Sequence, residues 1–312
     1  MAKRKRKKRQ HYPAHPAHPY NWGQSLTVAA LWLLACLPYR AGLRLGSALG
    51  GAAYYFARER RGIVQRNLEL CFPEKSATER EQLARDNFRA SGCAVVETAL
   101  GWFGGAQVTR IPVTVRGERH LRAAFEQNKR LILMSGHFMC LELIGRLLPE
   151  RIAINAMYKP MRKKPVLNRA MLMARQRNLT GATSKDETRA LLRSIRDGVP
   201  IWYAGDQDYG RKHSVFAPFF GVPAATITAL SRMARMGRAA VVPMFFFREP
   251  DGGYLIEFQP ALDGFSSGDE FEDAKRMNEI VEDAVRRYPE QYLWMHRRFK
   301  RQEDRAKDHY RA

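Results

Sequence analysis

The sequence predicts an α/β protein: a mixed, largely parallel sheet flanked by helices, preceded by an N-terminal membrane-anchoring helical segment. Three observations carry this. From Arg130 onward, short apolar, β-rich runs alternate with helical stretches, the pattern of strands joined by helical crossovers. Before Arg130 the chain reads as mainly helical. Near its start, an uncharged apolar stretch follows a block of basic residues.

The 312 residues are 45% hydrophobic, a globular composition that excludes disorder throughout. That length suits one large α/β domain with a helical extension. The formal net charge is +22, so the natural partners are anionic: nucleic acid, anionic lipid, phosphorylated substrates or an acidic protein. Cys36, Cys71, Cys93 and Cys140 are widely spaced and form no CxxC pair. They argue against a disulfide framework or a zinc site and read as four small buried hydrophobes in a reducing compartment.

Residues 1–22 form a basic, Pro/His-rich cytoplasmic tail. Lys3–Arg9 reads KRKRKKR, and the following HYPAHPAHPY carries too many prolines for a regular helix. Residues 23–57 form the anchor and an interfacial helix. Leu26–Leu37 reads LTVAALWLLACL, and Pro38 follows. The uncharged stretch Gly23–Tyr39 is shorter than the ~20 residues of a full span. It predicts a short or tilted single anchor with the basic residues on anionic headgroups at the cytoplasmic side. A buried helix of a soluble domain is the alternative for a run of this length. A nucleic-acid-binding arm explains KRKRKKR but not the apolar run behind it. Gly42–Phe56 predicts a helix lying along the membrane interface or on the main domain.

Residues 58–300 form the α/β domain and 301–312 a charged tail. Ser76 with Glu79 three positions on is a capping box, so a helix starts there. Strands are predicted at 130–135, 152–158, 199–204, 239–247 and 254–258. Helices are predicted at Glu187–Arg196, Ala224–Met236 and Glu270–Tyr288. Glu249–Gly253 reads EPDGG, a turn that makes the last two strands a hairpin at one sheet edge.

The chemistry centres on LILMSGHFMCLE, residues 131–142. His137 follows a predicted strand, and ligands of open α/β sheets gather at the carboxyl ends of strands. On one ideal helix, His137 and Glu142 would lie about 140° apart. They meet only if His137 sits in the turn before the helix, which Gly136 permits. The carboxylate would then orient the imidazole as a general base. By residue types alone, a structural His–Glu pair accounts for the spacing equally well. Ser135 lacks the G-x-S-x-G elbow, and nothing in the sequence activates Cys140, so covalent catalysis is not expected.

Asp206 and Asp208 in GDQDYG follow another predicted strand. Such a pair either binds a divalent cation or fixes a loop through Asx-turns and arginine pairing; the loop or substrate-positioning role is the expectation here. Lys185 and Arg189 open a basic helix and read as phosphate contacts or as a solvated face. In the extended reading of 294–296, Trp294 and His296 share one side.

Four segments, RRGIVQRNLELCFPE (60–74), GHFMCLE, WYAGDQDYGRKHSVFAPFFGVPAATIT (202–228) and PEQYLWMHRRFK (289–300), together resemble the late, Kdo-dependent lipid A acyltransferases. These belong to the wider lysophospholipid/glycerolipid acyltransferase superfamily, marked by His-x4-Asp/Glu. The resemblance runs from about Leu26 to Lys300. It implies an enzyme at the cytoplasmic face of the bacterial inner membrane. The enzyme would take an acyl chain from acyl carrier protein and place it on the hydroxyl of a 3-hydroxyacyl chain of the Kdo-bearing lipid A precursor. It implies His137 as general base and Glu142 as its orienter. Lys159 matches a position where the family usually has Arg, a contact for substrate phosphate or the developing oxyanion. Phe216, Phe219 and Phe220 match the family's acyl-pocket wall; a plain core role fits them nearly as well. His296, Arg297 and Arg298 would face phosphate or the carrier protein. No cofactor and no metal are expected. The acidic carrier, the phosphorylated precursor and anionic lipid account for the basic chain better than nucleic acid does. The rival reading is a glycerolipid acyltransferase of the lysophosphatidate type. Its glycerol-phosphate members usually show Asp at the last motif position, where Glu142 stands here.

Overall fold

The computed structural model describes residues 12–148, 152–304, 306 and 308–310. The basic run Lys3–Arg9 lies outside the described residues. Four helices come first: α1 (Trp22–Ala35), α2 (Tyr39–Phe56), α3 (Arg58–Cys71) and α4 (Ala77–Phe103). Then follow β1 (Val113–Arg116), α5 (Glu118–Gln127), β2 (Leu131–Ser135), α6 (Leu141–Leu147), β3 (Asn155–Tyr158), α7 (Pro165–Asn178), β4 (Gly181–Ser184), α8 (Thr188–Arg196) and β5 (Ile201–Ala204). The chain ends with β6 (Ser214–Phe219), β7 (Val222–Ile227), α9 (Ala229–Gly237), β8 (Ala240–Arg248), β9 (Tyr254–Phe258) and α10 (Glu270–Arg287).

The main sheet has seven strands in the order β1-β9-β8-β2-β5-β3-β4. The strands β8, β2, β5, β3 and β4 run parallel to one another, and β9 turns back antiparallel on β8. β2 lies at the centre with all five residues buried, as its unbroken apolar run requires of a strand covered on both faces. Helices cover the sheet, and one continuous core runs from α3 and α4 through β2 and β8 to α10.

Two sequence expectations change here. The β8–β9 hairpin forms, but β1 pairs in parallel with β9 and takes the edge. The stretch Ala224–Ile227, expected to open a helix, is instead the end of β7, paired with β6 from Ser214↔Ile227 to Phe219↔Val222. Phe220 and Gly221, with φ of 51° and 72°, make the two-residue reversal that such a hairpin needs. The helix therefore starts at Ala229.

The expected anchor is also corrected. α1 has 14 residues, about 21 Å of helix against a ~30 Å hydrocarbon core, and the chain turns at Cys36–Pro38. Among the described residues, no helix is long and apolar enough to cross a membrane. α1 packs by Leu31 and Ala35 on Ala99 and Trp102 of α4 and on Met171 and Ala174 of α7. Its other side exposes Trp22, Leu26, Trp32 and Leu33.

α2 lies on α4 through a stripe of small residues. Gly42, Gly46 and Gly50 recur every four residues; Gly92 of α4 faces Gly46 and Gly50, and Val96 faces Gly42. A Cβ at Gly92 would sit 1.9 Å from the Gly46 carbonyl oxygen, so the backbones meet without side chains between them. Leu45, Leu49, Tyr55 and Phe56 remain exposed on α2. The capping box of α4 forms as expected: Ser76 Oγ accepts from the Glu79 N–H, and Glu79 accepts from the Ser76 N–H at 2.8 Å.

Candidate active site

Parallel pairing builds the site. β2 and β5 are neighbours in the register Ser135↔Ala204, so two residues further on His137 stands beside Asp206. His137 lies in the turn between β2 and α6, as expected. Its partner, however, is Asp206. The His137 Nδ1 to Asp206 Oδ1 distance is 2.6 Å, and the His137 backbone N–H donates to Oδ2 at 2.9 Å. The Tyr292 hydroxyl also donates to Oδ2, at 2.8 Å. The His137 carbonyl accepts from the Leu293 N–H. Asp206 is 1% exposed and the His137 side chain 20%. Burial opposes charge on Asp206, but the facing imidazole and three hydrogen bonds overcome it and hold the carboxyl well below its usual range. Burial and then the Asp206 charge push the Tyr292 phenol well above its usual range, so it stays a donor.

Glu142 does not orient His137. Its carboxylate is forked onto Arg175 of α7, with Nη2 to Oε1 at 2.5 Å and Nε to Oε2 at 3.3 Å, and it accepts from the Trp102 indole at 2.9 Å. The physical reason is the turn: residues 138–140 place Glu142 in the first turn of α6, facing α4 and α7, while His137 faces β5.

Beside the Glu142–Arg175 fork lies an apolar cavity. α6 lines it with Leu141, Glu142 and Gly145, joined by Leu148 just past the helix end, and the sheet lines it with Ala156, Trp202 and Phe246. Trp202 joins cavity and dyad, its ring centroid 6.3 Å from that of His137. The Trp202 indole N–H is buried and has no hydrogen-bond partner among the described residues. Phe216, Phe219 and Phe220, expected as acyl-pocket wall, do not line this cavity. Phe219 is fully buried among Tyr292, Phe299 and Phe220, Phe220 packs on Phe72 and Trp294, and the Arg211 guanidinium lies over Phe216.

Asp208 takes the loop role. Its Oδ1 accepts from the Gly210 N–H at 2.8 Å and from Arg301 at 2.7 Å. Among the described residues, no cluster of His, Cys, Asp and Glu could hold a metal ion. His296 joins the dyad's surroundings: its Nε2 accepts from the Asp208 N–H at 3.0 Å, and it lines a small polar pocket with His137, Asp206 and Tyr292. Arg298 cannot serve as an outward phosphate contact. It is 2% exposed and donates to the Ala225 carbonyl and to Thr226, clamping β7 to the chain end. Arg297 lies outward, paired with Glu59 at 3.2 Å. Lys159 and Lys185 follow β3 and β4 in the register Tyr158↔Ser184, so they stand side by side. Lys159 and Arg189 are exposed, and Lys185 touches Asp186 at 3.2 Å. The cysteines are unpaired; Cys71, Cys93 and Cys140 are buried, while Cys36 is exposed, against the expectation of four buried thiols.

Sequence reasoning missed Asp206 as the partner of His137, and it missed Tyr292, Trp102, Trp202 and Arg175 altogether. One cue for Asp206 was present. Both strands end alike, in Ser135-Gly136-His137 and Ala204-Gly205-Asp206, and two adjacent parallel strands of one register would set the third residues side by side.

His296 supplies a measurable consequence. Burial pushes its imidazole down to about 4 from 6.5. Between these values the unfolded chain takes a proton that the folded one refuses, so stability falls as pH drops through this window. Wild type is expected to lose about 2 kcal/mol more than His296→Gln between pH 7.5 and pH 4.5, read as urea-unfolding free energy. Parallel loss in both would show that the buried imidazole is not held neutral.

The fold and site define an α/β protein with a His–Asp pair at the carboxyl ends of two parallel strands and an apolar cavity near it. Residues 9–301 match the family described as bacterial lipid A biosynthesis acyltransferase, and the chain belongs to that family. It is similar to the lipid A biosynthesis palmitoleoyltransferase of Escherichia coli (strain K12), 37% identical over 284 residues that cover 90% of this chain and 92% of that one. It is similar to the lipid A biosynthesis lauroyltransferase of the same organism, 36% identical over 289 residues with the same two coverages. Among solved structures it is similar to a 1-acyl-sn-glycerophosphate (LPA) acyltransferase from Thermotoga maritima, at 14% identity, a TM-score of 0.37 and coverage of 79% and 98%. The chain is an acyltransferase of lipid A biosynthesis.

Proposed function

We propose that the enzyme transfers a fatty acyl chain from acyl carrier protein to the hydroxyl of a 3-hydroxyacyl chain on the Kdo-bearing lipid A precursor, with His137 as general base and Asp206 as its orienter. The observation that carries the mechanism is the His137–Asp206 pair, 2.6 Å apart at the carboxyl ends of β2 and β5. Asp206 holds the proton on Nδ1, which leaves Nε2 free to accept one. Nε2 takes the hydroxyl proton as the oxygen attacks the thioester carbonyl carbon. The C–S bond then breaks, and the imidazolium returns its proton to the leaving sulfur. The orphan Trp202 indole N–H, between dyad and cavity, is the donor for the carbonyl oxygen as it gains charge. The donor's tail occupies the apolar cavity, and the Glu142–Arg175 fork closes that cavity on one side.

The surface supports the same reading. The paired Lys159 and Lys185, with Arg189 nearby, suit precursor phosphate and an acidic carrier. Lys159 meets phosphate as a point charge, without the two-pronged grip of Arg. The exposed apolar residues of α1 and α2 seat the enzyme on the cytoplasmic face of the inner membrane as a surface contact, with anionic headgroups beside it.

The test gives purified protein a Kdo2-lipid IVA acceptor and acyl carrier protein charged with C10 to C16 chains. Mass spectrometry is expected to show the gain of one acyl group. Transfer only from acyl-CoA to lysophosphatidic acid would move the protein to the glycerolipid branch.

A further inference from the structure

Gly145 lies inside α6, where a glycine weakens a helix. Several glycines in the helices have a visible cause: at Gly46, Gly50, Gly92 and Gly101 a Cβ would strike a neighbouring backbone within 2.6 Å. Gly145 has no such neighbour, for a Cβ there meets nothing within 4 Å. It is not in the left-handed region either. Gly23 of α1 and Gly62 of α3 are equally unobstructed, but both are exposed to solvent, and Gly51 of α2 meets only the Arg89 side chain, at 3.6 Å. Gly145 faces the apolar cavity, one helical turn beyond Glu142 and one turn before Leu148. The missing side chain therefore leaves empty space along the cavity floor and serves no packing need.

We infer that Gly145 sets the length of acyl chain the enzyme accepts: the bare α6 backbone leaves open a channel that any side chain at this position would shorten. The inference rests on the proposed seating of the donor tail in this cavity. Chain length is then decided by apolar fit, in which each methylene denied its place weakens a substrate about tenfold or more. Helical geometry places Gly145 ~5 Å beyond Glu142. A side chain there cuts off the far end of a long tail and leaves short tails untouched.

The experiment compares wild type, Gly145→Ala, Gly145→Leu and, as a surface control, Gly62→Ala. Two readouts are taken: transfer from acyl carrier protein charged with C10 to C16 chains, and displacement of a bound fluorescent fatty acid by free fatty acids of the same lengths. Gly145→Leu is expected to lower kcat/KM for the longest accepted donor by about tenfold or more while the shortest keeps its rate. Displacement should shift the same way. Gly145→Ala should shift both less, with Tm at or above that of wild type, and so answers the question even if the leucine variant does not fold. Gly62→Ala should raise Tm without moving either profile. Profiles of both Gly145 variants that superimpose on wild type would overturn the inference and leave the transfer reading standing. Fatty acids whose length cut-off moves with Gly145, in a protein that transfers none, would uphold the inference and overturn the transfer reading.

Discussion

Asp206→Asn is expected to lower the acyl-transfer rate by about a hundredfold or more with little change in KM. In the wild type, one carboxylate does two things to His137. Oδ2 is filled by the His137 N–H and the Tyr292 hydroxyl, which leaves Oδ1 to face Nδ1. An asparagine that turns its NH2 toward Nδ1 would take up the lone pair there and force the proton to Nε2, the atom that has to accept one. His137→Ala removes the base outright and is expected to cost at least as much. Glu142→Gln acts differently. It weakens the fork onto Arg175 and the wall of the apolar cavity, so its effect should appear in KM and in thermal stability. Steady-state kinetics of the three variants checks the assignment. A Glu142→Gln enzyme that loses kcat while Asp206→Asn retains it would return the orienting role to Glu142.

Gly92→Ala is expected to destabilise the fold by about 2 kcal/mol or more, the cost of forcing atoms into a filled contact. The added methyl would overlap the Gly46 carbonyl, and α2 and α4 would have to move apart. The exposed control Gly62→Ala should go the other way, since alanine favours a helix by about 1 kcal/mol over glycine. Urea unfolding of the two variants settles it. A neutral Gly92→Ala would mean that the helices do not cross at these glycines.

Much of the fold was legible. Strands β2, β5, β8 and β9 announce themselves as apolar runs, because a strand buried on both faces has no reason to alternate. β1 and β4 were not, since VTVR and GATS are four-residue strands at the two edges of the sheet, with little apolar content to betray them. Ala224–Ile227 reads as helical because Ala224 and Ala225 favour helices, yet the positive-φ turn at Phe220-Gly221 commits it to a hairpin. At the site, His137 and Asp206 were both found, as members of different motifs. Their pairing was hidden because it depends on which strand lies next to β2. Nearness in sequence pointed to Glu142 instead, and α6 turns that carboxylate away toward Arg175. Tyr292 could not be seen from its own segment: it reaches Asp206 only because the chain bridges back to Phe138 after α10.

The way His137 is tied down has a kinetic meaning. Its amide, carbonyl and ring are each fixed, by Asp206 and by Leu293. As the proposed base, His137 therefore has almost no orientational freedom to lose at the transition state, and its reorganisation was completed when the sheet formed. On the proposed reaction, what must still move is the hydrocarbon, threading between α6 and α7, and the lipid acceptor coming in from the bilayer. Turnover should then follow the fluidity of the lipid around the enzyme more closely than any motion of the imidazole.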